Sequence, residues 1–289
     1  MTQSTRNRNR HLIRRILLYV AVLFIVVWTI APYVWLIISS LSYRIDLLQV
    51  PLQWIPRRIT LDNYRDLFIV SGGSNMNATL FIRALRNSSI IAFSATFVAL
   101  VLGVFSAYAL ARLKFPGSNA SVVLMMGVQM LPPIAIVIPV YVLLRQFKLL
   151  DTHYGLVLVY LSFVLPLVVW LMRSYFASIP SELEDAARID GCTRLGALFR
   201  IILPLAGPGL VSVAVFAFIA AWNEYLYAFI MTTANAKTLP VLIGEFSTKL
   251  GLQYLRIAAA GVLASLPPVI LALIFQRYIM QGLTAGSVK

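Results

Sequence analysis

Residues Ser88 to Ala111 read SSIIAFSATFVALVLGVFSAYALA, a run of apolar and small residues without a charged side chain. About 20 such residues are enough for a helix to cross the hydrocarbon layer of a membrane. A chain in lipid has to pair every backbone N–H and C=O internally, and a helix does so within a single segment. This stretch therefore predicts a transmembrane helix, and it decides the structural class.

Similar apolar runs divide the rest of the chain. Together with the first one, they predict an all-α polytopic membrane protein with six transmembrane helices, at about residues 16–41, 88–111, 120–144, 155–176, 208–231 and 257–278. The run that begins at Ile16 is too long for the apolar core of a signal peptide, and no small-residue cleavage site ends it. Pro132, Pro133 and Pro139 fall in the third run, where we expect them to kink the helix.

The composition agrees with this class. Of the 289 residues, 60% are hydrophobic and 12% are charged, about half the charged fraction of a soluble domain. The net charge of +14 could indicate a nucleic-acid partner, but basic residues beside apolar runs are explained by anionic headgroups and by membrane orientation. The first fifteen residues carry five arginines and no acid, which predicts that both termini of a six-span chain are cytoplasmic.

Several kinds of chemistry have no sequence signature here. Cys192 is the single cysteine, and His11 and His153 are isolated, so the sequence indicates neither an intramolecular disulfide nor a metal site. Neither a phosphate-binding P-loop nor a nucleophile elbow occurs. We therefore expect no enzyme and no cofactor in this chain, and the energy for any pumping has to come from another subunit or an ion gradient.

The longest charged stretch between the apolar runs is PSELEDAARIDGCTRLGALFRIILP, residues 180–204. Ser181 and Glu184 have the spacing of a capping box, and Glu184 and Arg188 have that of a helical ion pair. Gly191 stands where a left-handed residue would end the helix. The pattern predicts a short soluble-type helix in a cytoplasmic loop, followed by a second helical piece from Thr193 to Phe199.

Three interpretations of this helix were weighed: a solvated connector, a helix-turn-helix and a docking helix for a partner. A helix-turn-helix is excluded because both ends run into membrane spans within a few residues, so the helix cannot reach a DNA groove. The residue pattern alone leaves the other two interpretations open.

A family resemblance favours docking. Asp185-Ala186-Ala187, Gly191 and Ile201-x-Leu203-Pro204 resemble the EAA motif, E-A-A-x(3)-G-x(9)-I-x-L-P, of permeases in binding-protein-dependent ABC importers. The departure is Asp185 in place of Glu, for which Glu184 could partly substitute. The resemblance implies that the loop at 178–204 contacts an ATPase subunit, through Glu184, Asp185, Ala186, Ala187, Asp190, Gly191, Ile201, Leu203 and Pro204.

The resemblance extends beyond the loop. Residues 83–277 resemble the type-1 ABC transmembrane domain of MetI-like fold, after a region 1–82 that holds the tail, the first helix and an extracytoplasmic loop. Ala221-Trp222-Asn223-Glu224 and the ending from Gly282 to Lys289 resemble the carbohydrate branch, whose permeases are MalG-like. The tail 278–289 is then implied to contact the ATPase, through Gly282, Leu283, Thr284 and Gly286.

This resemblance also implies the partners. They are a second, MalF-like permease subunit, two ATP-binding subunits that hold ATP and Mg, and an extracytoplasmic solute-binding protein. The substrate would be a di- or oligosaccharide or a related polyol. The resemblance further implies the cytoplasmic membrane of a prokaryote as the location, with membrane lipid around the chain and no nucleic acid as a partner.

Glu224 is the acid that lies well inside a predicted span. A carboxylate there costs about 2.5–3.5 kcal/mol, so it should face the bundle interior. It either lines a pathway or gate with Trp222, Asn223 and Tyr225, or it holds one helix to another. Other functions left open are an ion-coupled secondary transporter that uses Glu224, an ABC permease for a glycerol phosphate, and a membrane protein for assembly or signalling.

Overall fold

The computed structural model describes residues 3–48, 54–56, 58–69, 76–113, 115–248 and 253–285, and these residues form helices without any strand. The helices are α1 (Gln3–Ser40), α2 (Arg44–Leu48), α3 (Asp62–Phe68), α4 (Met76–Arg112), α5 (Ser118–Gln129), α6 (Pro133–Gln146), α7 (His153–Ser178), α8 (Ser181–Ile189), α9 (Arg194–Ala197), α10 (Leu203–Leu205), α11 (Gly207–Trp222), α12 (Leu226–Met231), α13 (Leu239–Thr248) and α14 (Tyr254–Ala285). A π-helical turn (Leu198–Ile202) joins α9 to α10.

In the described part of the chain, four helices are long and apolar enough to cross a membrane: α1, α4, α7 and α14. Two bent pairs raise the number to six if each pair is one span. One pair is α5 with α6, bent by 96°, and the other is the segment Arg194–Leu205 with α11, bent by 79°. The all-α, six-span class predicted from the sequence agrees with this arrangement.

The second and third spans differ in detail from the prediction. Helix α4 begins at Met76, twelve residues before the predicted start, because its first turns pack on α3 through an edge-to-face contact of Phe81 with Phe68 at 5.4 Å. The third span is broken between α5 and α6. Pro132 has extended backbone angles there because it precedes Pro133, and Pro133 opens α6 at a position where no N–H is needed.

The fifth span also breaks where the sequence predicted a continuous helix. Helix α11 ends at Trp222, and α12 starts only at Leu226. The predicted polar loop 232–256 contains a further helix, α13, whose apolar side chains are buried in the bundle: Leu239, Val241, Leu242 and Phe246. The sequence pattern missed α13 because ten residues are too few to give a transmembrane signal.

The centre of the bundle is the pair α4 and α7. Several buried residues of α4 are small, among them Ala92, Ala95 and Ala99. Small residues let two membrane helices approach closely. At Gly103, an added Cβ would lie 2.5 Å from Val168 Cγ1 on α7. Helix α11 packs on this pair and on α14.

Helix α1 joins the bundle near its C-terminal end. The Tyr33 hydroxyl lies 2.8 Å from Ser265 Oγ of α14, and Leu36 packs on Gly261. Earlier residues of α1 expose large apolar side chains, for example Trp28 at 74%.

Side chains of α4 and of the loop before α7 hold the loop after α12 in place. Asn87 donates to the carbonyl oxygens of Asn235 and Lys237 at 2.8 and 2.9 Å. Asp151 accepts backbone N–H bonds from Thr233, Ala234, Asn235 and Ala236. These bonds fix the loop after α12 against the loop that precedes α7.

The close approach at Gly103 gives the first prediction. Gly103→Ala should destabilise the protein by about 1–3 kcal/mol, because the added methyl overpacks the α4–α7 contact. Val168→Ala on the facing helix should partly restore the loss, since it removes the atom that the methyl would meet. The measurement is the Tm of the purified protein in detergent.

Gly127→Ala is the matched control, because a Cβ there meets no atom within 4 Å. Additive losses in the Gly103→Ala, Val168→Ala double variant would contradict a direct contact.

A second prediction concerns acid stability. Burial acts to raise the pKa of Asp151, but hydrogen bonds from the N–H groups of Asn235, Ala236 and Thr233 outweigh it and lower the pKa from 3.8 to about 2. The folded-state pKa is thus depressed, so the stabilisation is present above about pH 4 and is lost as the pH falls towards 2.

Asp151→Asn should lower the Tm by about 2–4 °C at pH 7, and the difference from wild type should shrink below pH 4. The control is Asp185→Asn, whose side chain is 69% exposed and should have little effect at either pH. A Tm difference between Asp151→Asn and wild type that does not change with pH would contradict the role of the charge.

Candidate functional site

Helix α8 starts differently from the sequence prediction. Pro180, with φ −55° and ψ 135°, is the residue before the helix, and no side chain caps the first turn. Ser181 is already helical, so the predicted capping box is wrong. The physical reason is that the Glu184 side chain turns into the protein instead of back to the helix start.

Glu184 anchors α8 to the end of α4. The Tyr108 hydroxyl donates to Glu184 Oε1 at 2.6 Å, and Arg112 Nε lies 3.5 Å from Glu184 Oε2. Arg112 also donates through Nη2 to the Ile179 carbonyl oxygen at 2.6 Å. The side chains of Arg112 and Glu184 are only 10% and 11% exposed. A buried carboxylate with two partners is costly to disrupt, since loss of one partner leaves a charge unpaired.

The predicted pair of Glu184 with Arg188 is therefore wrong. Arg188 instead lies 4.0 Å from Asp185, and both side chains are largely exposed. An exposed pair at this distance contributes little.

The C-terminal end of α8 agrees with the sequence prediction. Gly191 has φ +88°, the left-handed conformation that glycine adopts without strain. Its N–H donates to the Arg188 carbonyl at 3.1 Å, and the N–H of Cys192 donates to the Ala187 carbonyl at 2.9 Å. This pair of bonds is a Schellman motif. Asp190, the residue between helix and glycine, is exposed.

The second helical piece also exists. The Thr193 hydroxyl caps it by accepting the N–H of Gly196 at 3.1 Å, and buried Leu198 and Ile202 hold its π-helical turn in the bundle. The remaining motif residues lie in and just after this turn: Ile201 and Leu203 are half-buried and Pro204 is exposed. They join the loop to α11.

Three large apolar side chains of the loop are exposed in a region with many charges. Ile189 is 86% exposed, Leu195 56% and Leu183 42%. Asp185 and Ala186 are exposed, while Ala187 is buried at 4%. Large exposed apolar side chains in a charged loop are candidates for contact with another protein.

The predicted C-terminal contact residues are placed only in part. Gly282, Leu283 and Thr284 belong to the last turns of α14. Gly286 lies outside the described residues.

Trp222 has a structural partner. Its Nε1 donates to the Ala264 carbonyl oxygen of α14 at 2.9 Å, and the residue is 3% exposed. Pro268 stands four residues after Ala264 and has no N–H, so this carbonyl has no helical partner. Trp222 re-pairs a carbonyl that a proline leaves free.

Glu224 occupies the break between α11 and α12. Its Oε1 accepts the N–H of Tyr227 at 2.7 Å, and its Oε2 accepts the N–H of Ala228 at 3.0 Å, so the carboxylate caps α12. Beside it lies an open groove of about 640 Å³. Its lining includes Gln129, Pro133, Ser162, Phe163, Glu224 and Tyr227.

The other two candidates of this run lie apart from the groove lining. Asn223 is exposed. Tyr225 stacks on Phe229 with ring centroids 5.4 Å apart, and its hydroxyl approaches Gly244.

Sequence reasoning missed the partners of the site residues. Tyr108 and Arg112 are one turn apart at the end of an apolar run, and this spacing was a signal that both could meet the same group. Nothing in the sequence identified Glu184 as that group. Among the described residues, no cluster of His, Cys, Asp and Glu could hold a metal ion.

Comparisons with known proteins place these features in a family. Residues 99–285, more than half of the chain, match the model of the family described as binding-protein-dependent transport system inner membrane component. The trehalose transport system permease SugB of Mycobacterium tuberculosis is 39% identical over 268 residues, 92% of this chain and 94% of that protein. The trehalose/maltose permease MalG of Thermococcus litoralis is 35% identical, over 96% and 98% of the two chains.

A solved structure shows the same fold. A chain of a bacterial ABC transporter involved in alginate import superposes with a TM-score of 0.76 at 23% identity, over 96% of this chain and 98% of that one. With two curated permeases above 30% identity over nearly their full length, this chain belongs to the binding-protein-dependent transport system inner membrane components, the permease subunits of ABC importers.

Proposed function

We propose that this chain is the MalG-like permease half of an ATP-driven importer for a di- or oligosaccharide. The observation that carries the proposal is the loop 178–204, in which Glu184 anchors α8 to α4 while apolar Leu183 and Ile189 of α8 and Leu195 of α9 are exposed. An anchored helix with an exposed apolar face suits docking better than it suits a solvated connector.

The partner for this face is a separate ATP-binding subunit, which holds ATP and Mg. The last turns of α14, with Gly282, Leu283 and Thr284, and the following Gly286 would provide a second contact. A second permease subunit would complete the pore, and a solute-binding protein on the extracytoplasmic side would deliver the substrate. This assignment places both termini and the loop 178–204 in the cytoplasm.

Transport would follow from movement of α8 as a lever. The hydrogen bond to Tyr108 and the ion pair to Arg112 transmit a displacement of α8 to α4, and α4 packs along α7. Closure of the ATPase dimer would then rock the bundle between inward-facing and outward-facing states.

The relatives support a saccharide as substrate, because SugB and MalG are named for trehalose and for trehalose and maltose. The rival function, a secondary transporter with Glu224 as proton carrier, has less support. Both oxygens of the Glu224 carboxylate accept backbone N–H bonds of α12, which gives this side chain a structural role as the cap of a helix.

The docking face gives a test of the function. Ile189→Arg should abolish co-purification of the ATP-binding subunit and reduce sugar uptake to background, because a charge replaces the exposed apolar contact. The protein should still insert and fold, since Ile189 makes little contact within the chain (86% exposed). The measurements are a pull-down in mild detergent, with mass spectrometry of the partners, and uptake of trehalose and maltose.

Ile59→Arg is the matched control: the same change at a 70% exposed isoleucine on the extracytoplasmic side. It should leave ATPase binding intact. A wild-type chain that repeatedly purifies alone would overturn the importer assignment.

The anchor gives a separate prediction about coupling. Glu184→Gln keeps an acceptor for Tyr108 but removes the charge opposite Arg112, which should weaken the tie by about 1–3 kcal/mol. We expect uptake per ATP hydrolysed to fall several-fold while the ATPase still binds. The measurement is uptake and ATP hydrolysis in the same proteoliposomes.

Tyr108→Phe removes the 2.6 Å hydrogen bond and keeps the ion pair, so it should show a smaller defect of the same kind. Uptake and hydrolysis that fall in equal proportion would contradict a coupling role for the anchor.

A further inference from the structure

We propose that the surface at the C-terminal end of α1 is a binding site for an anionic phospholipid, whose phosphate lies between Arg44 and Arg58. The proposal does not depend on which solute is transported. In the orientation proposed above, the site lies in the extracytoplasmic leaflet. The surface, named the interfacial patch, comprises Tyr43, Arg44, Ile45, Trp54, Ile55 and Arg58.

The depth of the interfacial patch is the first argument. The ring of Trp54 packs edge-on against the ring of Trp35, with centroids 5.2 Å apart. Trp35 belongs to α1 and stands five residues before the helix ends at Ser40, which is about 7.5 Å along the helix axis. The headgroup layer adds about 5–7 Å to each side of the hydrocarbon core. Trp54 therefore lies beside the end of the span, at the depth where tryptophan is enriched in membrane proteins.

Hydrogen bonds hold the chain that follows the interfacial patch against α1. The N–H of Thr60 donates to the Leu41 carbonyl oxygen at 3.0 Å. The Asn63 side chain donates to the Ser40 carbonyl oxygen at 2.9 Å. Because both ends of the connection between α1 and α3 are fixed at the end of the span, the patch is held beside the membrane.

The apolar side chains of the interfacial patch are exposed. Ile55 is 81% exposed, Ile45 69% and Trp54 68%. Large apolar side chains together with arginines are typical of segments that lie in the membrane interface. Since Trp54 lies at headgroup depth, the upper part of a lipid acyl chain can cover these side chains, whereas a water-soluble protein would not reach them.

Two guanidinium groups supply the charge of the site. Arg44 and Arg58 line a recess of about 480 Å³ together with Tyr43, Ile45 and Asp46. The recess thus has two positive charges and one negative charge, a net charge of +1. A phosphodiester of charge −1 balances it, and guanidinium groups bind phosphate oxygens through paired N–H donors. A zwitterionic headgroup brings its own cation and balances the recess less well.

A free anion is a poorer occupant than a lipid. Inorganic phosphate would pair with Arg44 and Arg58 but would leave Ile45, which lines the same recess, in water. An anionic phospholipid satisfies both the arginines and the apolar side chains. The combination of charge and apolar lining therefore assigns the recess to a lipid headgroup.

The first test measures where the interfacial patch lies. Cys192 is the single cysteine of the chain, so Cys192→Ser with Ile55→Cys leaves one position in this subunit for a nitroxide spin label. The complete transporter, with the cysteines of its other subunits replaced, is reconstituted in nanodiscs of phosphatidylcholine and phosphatidylglycerol. Power-saturation EPR compares collisions of the label with oxygen, which concentrates in lipid, and with a water-soluble nickel chelate. The control is Ala234→Cys, exposed in the loop between α12 and α13.

We expect the label at position 55 to collide more often with oxygen and the label at position 234 to collide more often with the nickel chelate. Frequent collisions with the chelate at position 55 would place the patch in water and overturn the proposal. Few collisions with either reagent would mean that another subunit covers the patch, which would overturn it as well.

The second test measures the choice of lipid. Phosphatidylglycerol or phosphatidylcholine is titrated into the delipidated complete transporter, and native mass spectrometry counts the bound lipids. We expect wild type to bind phosphatidylglycerol about tenfold more tightly than phosphatidylcholine at one site, and the Arg44→Gln, Arg58→Gln double variant to lose this preference. Both side chains are exposed, so the double variant should assemble normally.

Arg65→Gln is the matched control, because it removes an exposed arginine of α3 that does not line the recess. It should leave the affinity for phosphatidylglycerol unchanged. Equal affinities of wild type and the double variant for phosphatidylglycerol would overturn the phosphate site. Displacement of the bound lipid by an equal concentration of inorganic phosphate would identify a site for a free anion and overturn the assignment to lipid.

Discussion

Backbone pairing at membrane depth is the constraint from which the rest of this bundle follows. Each place where a spanning helix is interrupted leaves polar backbone groups that lipid cannot satisfy. Side chains of neighbouring helices take over, as where Trp222 pairs the Ala264 carbonyl. Glu224 pairs two N–H groups of α12. The polar side chains inside the bundle are thus placed mainly by its breaks.

The loop 178–204 lies between two spans, and its backbone does not depend on neighbouring helices for hydrogen bonds where water can reach it. Its charged residues are free to remain exposed, and most of those in α8 are. Glu184 is the exception, buried at 8% against Tyr108 and Arg112. The loop thereby gains a fixed orientation on α4, while its apolar side chains Ile189 and Leu195 stay on the surface. If this loop docks on an ATP-binding subunit, as proposed, the anchor would hold the contact surface in place and reduce the entropy lost on docking.

The sequence predicted whatever depends on local pattern. Apolar length predicted the spans, and Gly191 predicted the end of α8, because only a residue tolerant of positive φ ends a helix in this way. The prediction from sequence failed where a tertiary contact competes with a local one. Ser181 and Glu184 have capping-box spacing, but the buried partners Tyr108 and Arg112 outcompete the helix start for the carboxylate. The groove could not be predicted, since it forms from residues distant in sequence, such as Gln129 and Glu224.

Helix α7 connects the groove beside Glu224 with the loop 178–204. Its middle lines the groove through Ser162 and Phe163, and its last residue lies three positions before α8 begins. The bond from Arg112 to the Ile179 carbonyl closes this short link against α4. Because small residues pack α4 tightly on α7, the two helices resist sliding and move together. In the proposed lever mechanism, a displacement of α8 would therefore move the α7 wall of the groove relative to α6 and α12.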